Sequence, residues 1–183
     1  MKRLAFIVLA MSLCLGAARG GEEIRFFGKS VMFSTNSITG NILESREHTV
    51  LMKALRSVGL EQALLHQGLY TLFAPDNDAF AKLPADYSES IFRRVNRDEM
   101  AKLLACHIVA EGDLAGRKLL DKLKSEGPLT LKTLGGCTLA LDLREGVIHI
   151  TDETGGEGRI LEADILQTNG VIQLTDRVFV PKV

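Results

Sequence analysis

Asn169-Gly170-Val171-Ile172-Gln173-Leu174-Thr175-Asp176-Arg177-Val178-Phe179-Val180-Pro181 reads as a strand launched from a tight turn and stopped by proline. Asn-Gly tolerates positive φ at both central turn positions, so Arg159 to Leu166 are predicted to pair antiparallel with the residues that follow the turn. Ile172, Leu174, Val178 and Val180 share one face by the two-residue period, and Gln173, Thr175 and Arg177 share the other, the pattern of a half-buried strand. Asp176 interrupts the apolar face. A carboxylate there must find donors or mark a bend, because an unpaired buried charge is strongly destabilising.

Working outward, the start of the chain reads as an address. Lys2 and Arg3 precede the apolar run Leu4 to Leu15, and Ala18-Arg19-Gly20 supplies small residues, the layout of a secretory signal peptide over residues 1–20. The run is shorter than the roughly 20 residues that cross a bilayer, so an exported protein without a transmembrane segment is expected, periplasmic or at the cell surface. Removing that segment leaves 19 basic against 23 acidic residues, a net charge of about −4. Such a chain lacks the basic face nucleic acid requires, and no nucleic-acid partner is expected. Two cysteines remain after Gly20. An oxidising compartment permits a bridge between Cys106 and Cys137, while two separate buried thiols fit the same spacing. Neither CxxC nor HxxxH accompanies them, so no metal site is predicted.

Residues 21–40 carry no sustained period and read as an N-terminal extension, with Ser34 to Ser37 in a loop. Gly28-Lys29-Ser30 lacks the upstream glycine of a phosphate loop. From Glu47, Leu51, Leu55 and Val58 recur at helical spacing, Gly59 interrupts, and Leu60, Ala63 and Leu64 continue in a second short helix. Gly68 to Pro75 switches to an apolar strand, and Asp76 follows as the N-cap of a helix that buries Ala79, Phe80 and Leu83. Ser88 and Asn96 each open a further helix, and Ala105 to Val109 is a compact strand. Ala115 to Glu126 is amphipathic. Beyond Gly127-Pro128, strands are predicted at Leu129 to Leu134, Cys137 to Leu143 and Val147 to Thr151, with Asp152 to Gly158 an exposed acidic turn. Helices first, one early strand among them, then hairpins: this is an α+β domain with helices on one side of a sheet core.

Tyr70-Thr71-Leu72-Phe73-Ala74-Pro75-Asp76-Asn77-Asp78-Ala79-Phe80 resembles the first signature of the fasciclin (FAS1) domain family, and Asn169 to Pro181 resembles its second. Leu104-Ala105-Cys106-His107-Ile108-Val109 is similar to the family's central histidine segment. The resemblance covers residues 41–183 and implies two β-sheets forming a wedge or compact barrel flanked by several short helices, with the two signatures as adjacent central strands. It also implies an extracellular, mostly adhesive protein that binds other proteins or glycans without shared catalytic machinery. Thr71, Phe73, Pro75, Asp76, His107, Asn169, Gly170 and Asp176 are then structural motif residues. Of two interaction motifs proposed for the family, the Asp-Ile motif is matched by Glu162-Ala163-Asp164-Ile165-Leu166. The Tyr-His motif is not, because Cys106 stands in place of the tyrosine.

His107 lies in an apolar strand with no nucleophile or metal partner in sight and reads as a hydrogen-bonded core residue. Glu162, Asp164 and Ile165 are the candidate partner-binding residues, although Leu161, Ala163 and Ile165 also fit the inward face of a strand. No GxSxG or HExxH occurs, and His48, His66, His107 and His149 show no ligand spacing. The carboxylates of Asp152, Glu153 and Glu157 read as a solvated turn. The expectation is a noncatalytic adhesion or interaction module without a cofactor, whose partner is an envelope or matrix protein or glycan. Because some family members hold an apolar small molecule, a ligand carrier is the alternative.

Overall fold

The computed structural model describes residues 22–65, 69–93, 96–110 and 118–182. The signal-peptide reading of residues 1–20 lies outside them, as do His66 and the first residues of the helix expected from Ala115. The chain opens with a hairpin, β1 (Ile24–Phe27) and β2 (Ser30–Phe33), followed by α1 (Ile38–Glu44), a single 3-10 turn (Arg46–His48), α2 (Thr49–Val58) and α3 (Leu60–Ala63). Next come β3 (Tyr70–Pro75), α4 (Asn77–Ala81), α5 (Ala85–Ile91), α6 (Arg97–Ala105), the two-residue β4 (Ile108–Val109) and α7 (Lys118–Glu126). Five strands complete the chain: β5 (Leu129–Lys132), β6 (Thr138–Arg144), β7 (Val147–Thr151), β8 (Glu157–Gln167) and β9 (Gly170–Thr175).

Local chemistry sets most of these boundaries. Gly59 adopts φ 82° and ends α2 in the left-handed conformation that costs glycine least. Asp76 caps α4, its carboxylate accepting from the Ala79 N–H at 2.7 Å. Helix α5 begins at Ala85, earlier than the Ser88 start expected from sequence. The fixed φ of Pro84 suits a helix entrance, and the Ser88 N–H already donates to the Pro84 carbonyl at 2.8 Å.

The strand order is β4-β3-β9-β8-β7-β6-β5. β3 and β9 run parallel in register from Tyr70↔Gly170 to Pro75↔Thr175, so the two signature strands are adjacent at the centre of the fold. β8 and β9 pair antiparallel across the turn, as predicted from the Asn-Gly pair. Long β8 belongs to both halves of the structure, pairing with β7 through its first residues and with β9 through the rest. The far ends of the sheet are drawn together. The Leu134 N–H donates to the Ile108 carbonyl at 2.8 Å and the Gly135 N–H to the Ala105 carbonyl at 3.0 Å, leaving a nearly closed barrel. Cys106 and Cys137 are joined by a disulfide across this seam, their Cα atoms 5.3 Å apart. Gly135 is required beside it, because a Cβ there would lie 2.8 Å from the Cys106 nitrogen.

Two apolar cores result. Leu72, Ala74, Ile172 and Leu174 pack against the helices, while Phe73, Leu139, Ile150 and Phe179 fill the space between the sheet halves. β9 is therefore buried on both faces and not half-exposed as its alternation suggests. Its polar side chains are hydrogen-bonded in place: Gln173 reaches Asp164, and the Thr175 hydroxyl donates to the Arg177 carbonyl at 3.2 Å.

Two further readings of the sequence change. Within the stretch expected as an N-terminal extension, the β1–β2 hairpin and the start of α1 join the fold, burying Met32 and Ile38 completely in the helical core. Alternation over four-residue strands is too short to register as a period. The closing turn also differs. Gln167 pairs with Gly170, so Thr168 and Asn169 are its central residues, and neither has positive φ. Asn169 serves as a clamp: its Oδ1 accepts from the Ile38 N–H at 2.9 Å and its Nδ2 donates to the Leu64 carbonyl.

The disulfide spans a sequence separation of 31 residues. Loop-closure entropy for that length is worth roughly 3 to 4 kcal/mol. Cys106→Ala/Cys137→Ala is expected to lower the thermal midpoint by about 10 °C, on the scale of 2 to 4 °C per kcal/mol for a domain this size. Scanning calorimetry with and without reductant checks this, and equal midpoints would show that the seam holds without the bridge.

Candidate functional site

The candidate interaction residues lie where β8 passes from one sheet half to the other. The β7–β8 ladder stops at His149↔Arg159. Along β9 the register of β8 shifts between Ile160 and Glu162 and again between Glu162 and Ile165. Asp164 takes up the distortion at φ 59°. Bulges of this kind bend a strand and re-aim its side chains. The result is a cleft of about 430 Å³ between the start of β7 and the middle of β8, bordered by Val147, Leu161, Glu162 and Arg25.

The three sequence candidates have different places in this geometry. Ile165 is 1% exposed and packs in the helical core. Asp164 is 7% exposed. It forms a reciprocal pair with Gln173, its N–H donating to Gln173 Oε1 at 3.0 Å and its Oδ1 accepting from Gln173 Nε2 at 2.8 Å. Both therefore hold the bulge in shape. Glu162 is the one at the surface, bonded to Arg25 at 3.2 Å, while Arg25 also pairs with Glu23. Leu161, expected inward by simple alternation, is 40% exposed, because each register shift advances the phase of the strand by a residue. Sequence reasoning missed Arg25, Val147 and Leu161 as members of this edge. Consecutive Glu162-Ala163-Asp164 beside Gly158 is the only signal of irregularity in β8 itself.

His107 is completely buried. Its Nδ1–H donates to the Leu103 carbonyl and its Nε2 accepts from the Phe179 N–H, both at 2.9 Å, and its ring stacks on Phe179. Burial pushes its pKa down to about 4, offset in part by the Leu103 bond and the Asp152 carboxylate. With both nitrogens committed to the backbone, this imidazole has no lone pair or proton to offer a substrate. Asp176 is likewise engaged: Oδ1 accepts from the Arg159 N–H at 2.7 Å, and Oδ2 takes the Arg159 guanidinium at 2.9 and 3.0 Å. It stands at the bend that ends β9.

The acidic turn is not simply solvated. Asp152 is buried, with Oδ1 accepting from the Thr154 and Gly156 N–H groups at 2.9 Å and Oδ2 accepting from the Val180 N–H at 3.1 Å. A carboxylate satisfied by backbone donors fixes a turn, which composition alone cannot distinguish from an exposed acid. Glu157 does remain outside, where Arg144 holds its pKa below the usual range with help from His149. Among the described residues, no group of three or more His, Cys, Asp and Glu side chains is arranged to hold a metal ion. Also among them, no helix is long and apolar enough to cross a membrane.

The architecture and its two central signature strands agree with comparisons to known proteins. The fasciclin domain model matches residues 46–181, and the chain belongs to the fasciclin domain family. Protein sll1483 of Synechocystis sp. is 32% identical over 133 residues, covering 73% of this chain and 67% of that protein. Transforming growth factor-beta-induced protein ig-h3 of Sus scrofa is 30% identical over 133 residues, but the match spans only 17% of its length. The fold is also similar to that in the structure of a FAS1 domain pair from the insect cell adhesion molecule Fasciclin I, with a TM-score of 0.70 at 15% identity over 86% of this chain and 66% of that one.

Proposed function

We propose that this protein is an exported, noncatalytic interaction module that binds an envelope or matrix protein or glycan through the open edge between β7 and β8. The observation that carries the reading is the split itself. Strand edges that natural sheets usually cover are here interrupted, with half-exposed Val147 and Leu161 beside the Arg25–Glu162 ion pair. An apolar patch with a charged rim suits reversible recognition, and the adhesive role of a structurally similar family member supports it. Buried, fully bonded His107 and the carboxylates given over to backbone donors support a scaffold in preference to an enzyme. Asp164 and Ile165 act in this scheme by holding the bulge, and Glu162 by touching the partner.

The test is retention on immobilised envelope or matrix material from the source cells. Leu161→Lys/Glu162→Lys is expected to weaken retention at least tenfold while leaving the melting temperature within about 2 °C, since surface substitutions seldom exceed 0.5 kcal/mol. Unchanged retention by a folded variant would remove this edge from the account.

A further inference from the structure

A second concavity lies on the opposite layer, among the helices, and does not depend on the β7–β8 reading. Val50, Ala54 and Val58 recur along one stripe of α2 and face Ile91 at the end of α5 and Met100 of α6 across a cavity of about 590 Å³. That volume is within the ordinary range of small-molecule sites. Its floor is apolar, formed by buried Ala54, Ile91 and Met100. Its mouth carries Lys53, Arg93 and Arg97, and among the described residues no carboxylate lines it. Arg93 has an exposed partner in Glu89 at 3.0 Å, whereas no ion pair joins Lys53 or Arg97 to any described residue.

Three cations around one apolar cavity are out of keeping with a chain whose charge is slightly negative overall. At physiological salt, screening over about 8 Å makes the local cluster, not the net charge, what an approaching ligand meets. A neutral apolar molecule would gain nothing from such a mouth, and a soluble anion would gain nothing from the floor. We infer that this cavity binds a free single-chain amphiphile with an acidic headgroup, of the fatty-acid type. Its carboxylate is held at Lys53 and Arg97, and its chain lies along Val50, Ala54 and Met100. The long stems of the two cations extend the apolar wall toward the headgroup.

The test uses the full exported chain and the fluorescent fatty acid cis-parinaric acid, with its methyl ester as the uncharged counterpart. Saturable one-to-one binding of the acid is expected, at least tenfold tighter than the ester. Lys53→Glu/Arg97→Glu is expected to weaken acid binding at least tenfold, while the equally charged change Lys122→Glu/Lys124→Glu on α7 leaves it within twofold. Circular dichroism melts verify that both variants stay folded. Absence of saturable binding, equal affinity for acid and ester, or an unaffected Lys53→Glu/Arg97→Glu variant would overturn the inference. Binding confined to vesicles of anionic phospholipid would also overturn it, in favour of a membrane surface.

Discussion

Gly170→Ala is expected to abolish the native fold or destabilise it by about 4 kcal/mol or more, the range reserved for a core that cannot relax. Gly170 opens β9 at φ 147°, and a Cβ built there would lie 1.9 Å from the Tyr70 carbonyl oxygen. The obstacle is backbone on the paired strand, so no side-chain rotation relieves it. Moving Tyr70 away would break the first rung of the β3–β9 ladder and loosen Asn169, whose carbonyl accepts from the Tyr70 N–H at 3.2 Å. Gly59→Ala is the internal control. It also has positive φ, but nothing lies within 4 Å of its Cβ, so only the conformational cost of about 1 kcal/mol applies. Urea unfolding followed by circular dichroism separates the two. Similar midpoints for both variants would mean that the close approach of the signature strands is not what Gly170 provides.

Acidification is expected to remove several kcal/mol of stability between pH 6.5 and about 4, through two buried histidines. His107 is neutral for the reasons given above, and burial also pushes the His48 pKa down to about 4, opposed by the neighbouring Glu47 carboxylate. His48 Nδ1 sits 2.6 Å from the Ser45 hydroxyl, which donates to Ser30, which in turn donates to Glu47. In the unfolded chain both imidazoles titrate near 6.5. Their contribution is therefore fully present above pH 6.5. Below it the unfolded state takes up protons that the native state refuses, and stability falls by about 1.4 kcal/mol per pH unit for each histidine until the native pKa is reached. The loss approaches about 3 kcal/mol per residue by pH 4. Asp76, whose carboxyl pKa is raised by burial, works in the opposite sense. Urea midpoints measured across pH 4 to 8 check the slope, and His107→Gln should remove about half of it. A flat profile would mean that these histidines exchange protons freely in the folded state.

Much of the fold could be read from the sequence because its strongest signals are local or covalently ordered. Asp76 as a cap, Gly59 as a helix stop and the alternation of β6, β7 and β9 each express chemistry within a few residues. The adjacency of β3 and β9 followed from resemblance, and their parallel direction is a finding of the structure, since nothing in either strand specifies a partner about 100 residues away. Burial of β9 on both faces was hidden because Gln173 and Thr175 look solvent-facing until Asp164 and the Arg177 carbonyl are brought to them. The site was less legible still. The bulges shift the alternation of β8, so Leu161 turns outward although its spacing matches that of buried Ile165. Arg25 reaches Glu162 from a hairpin too short to carry a period. Asp152 is acidic in composition and structural in fact because its donors are backbone groups, which sequence does not display.

The proposal that recognition occurs at the β7–β8 split is tested most directly by hydrogen–deuterium exchange of the protein with and without its captured partner. Slowed exchange is expected at Gly146 to Ile148 and Ile160 to Ala163, with β3 and β9 unchanged because they are already protected in the core. Slowing confined to other surfaces, such as α2 and α6, with no change at the split, would contradict it.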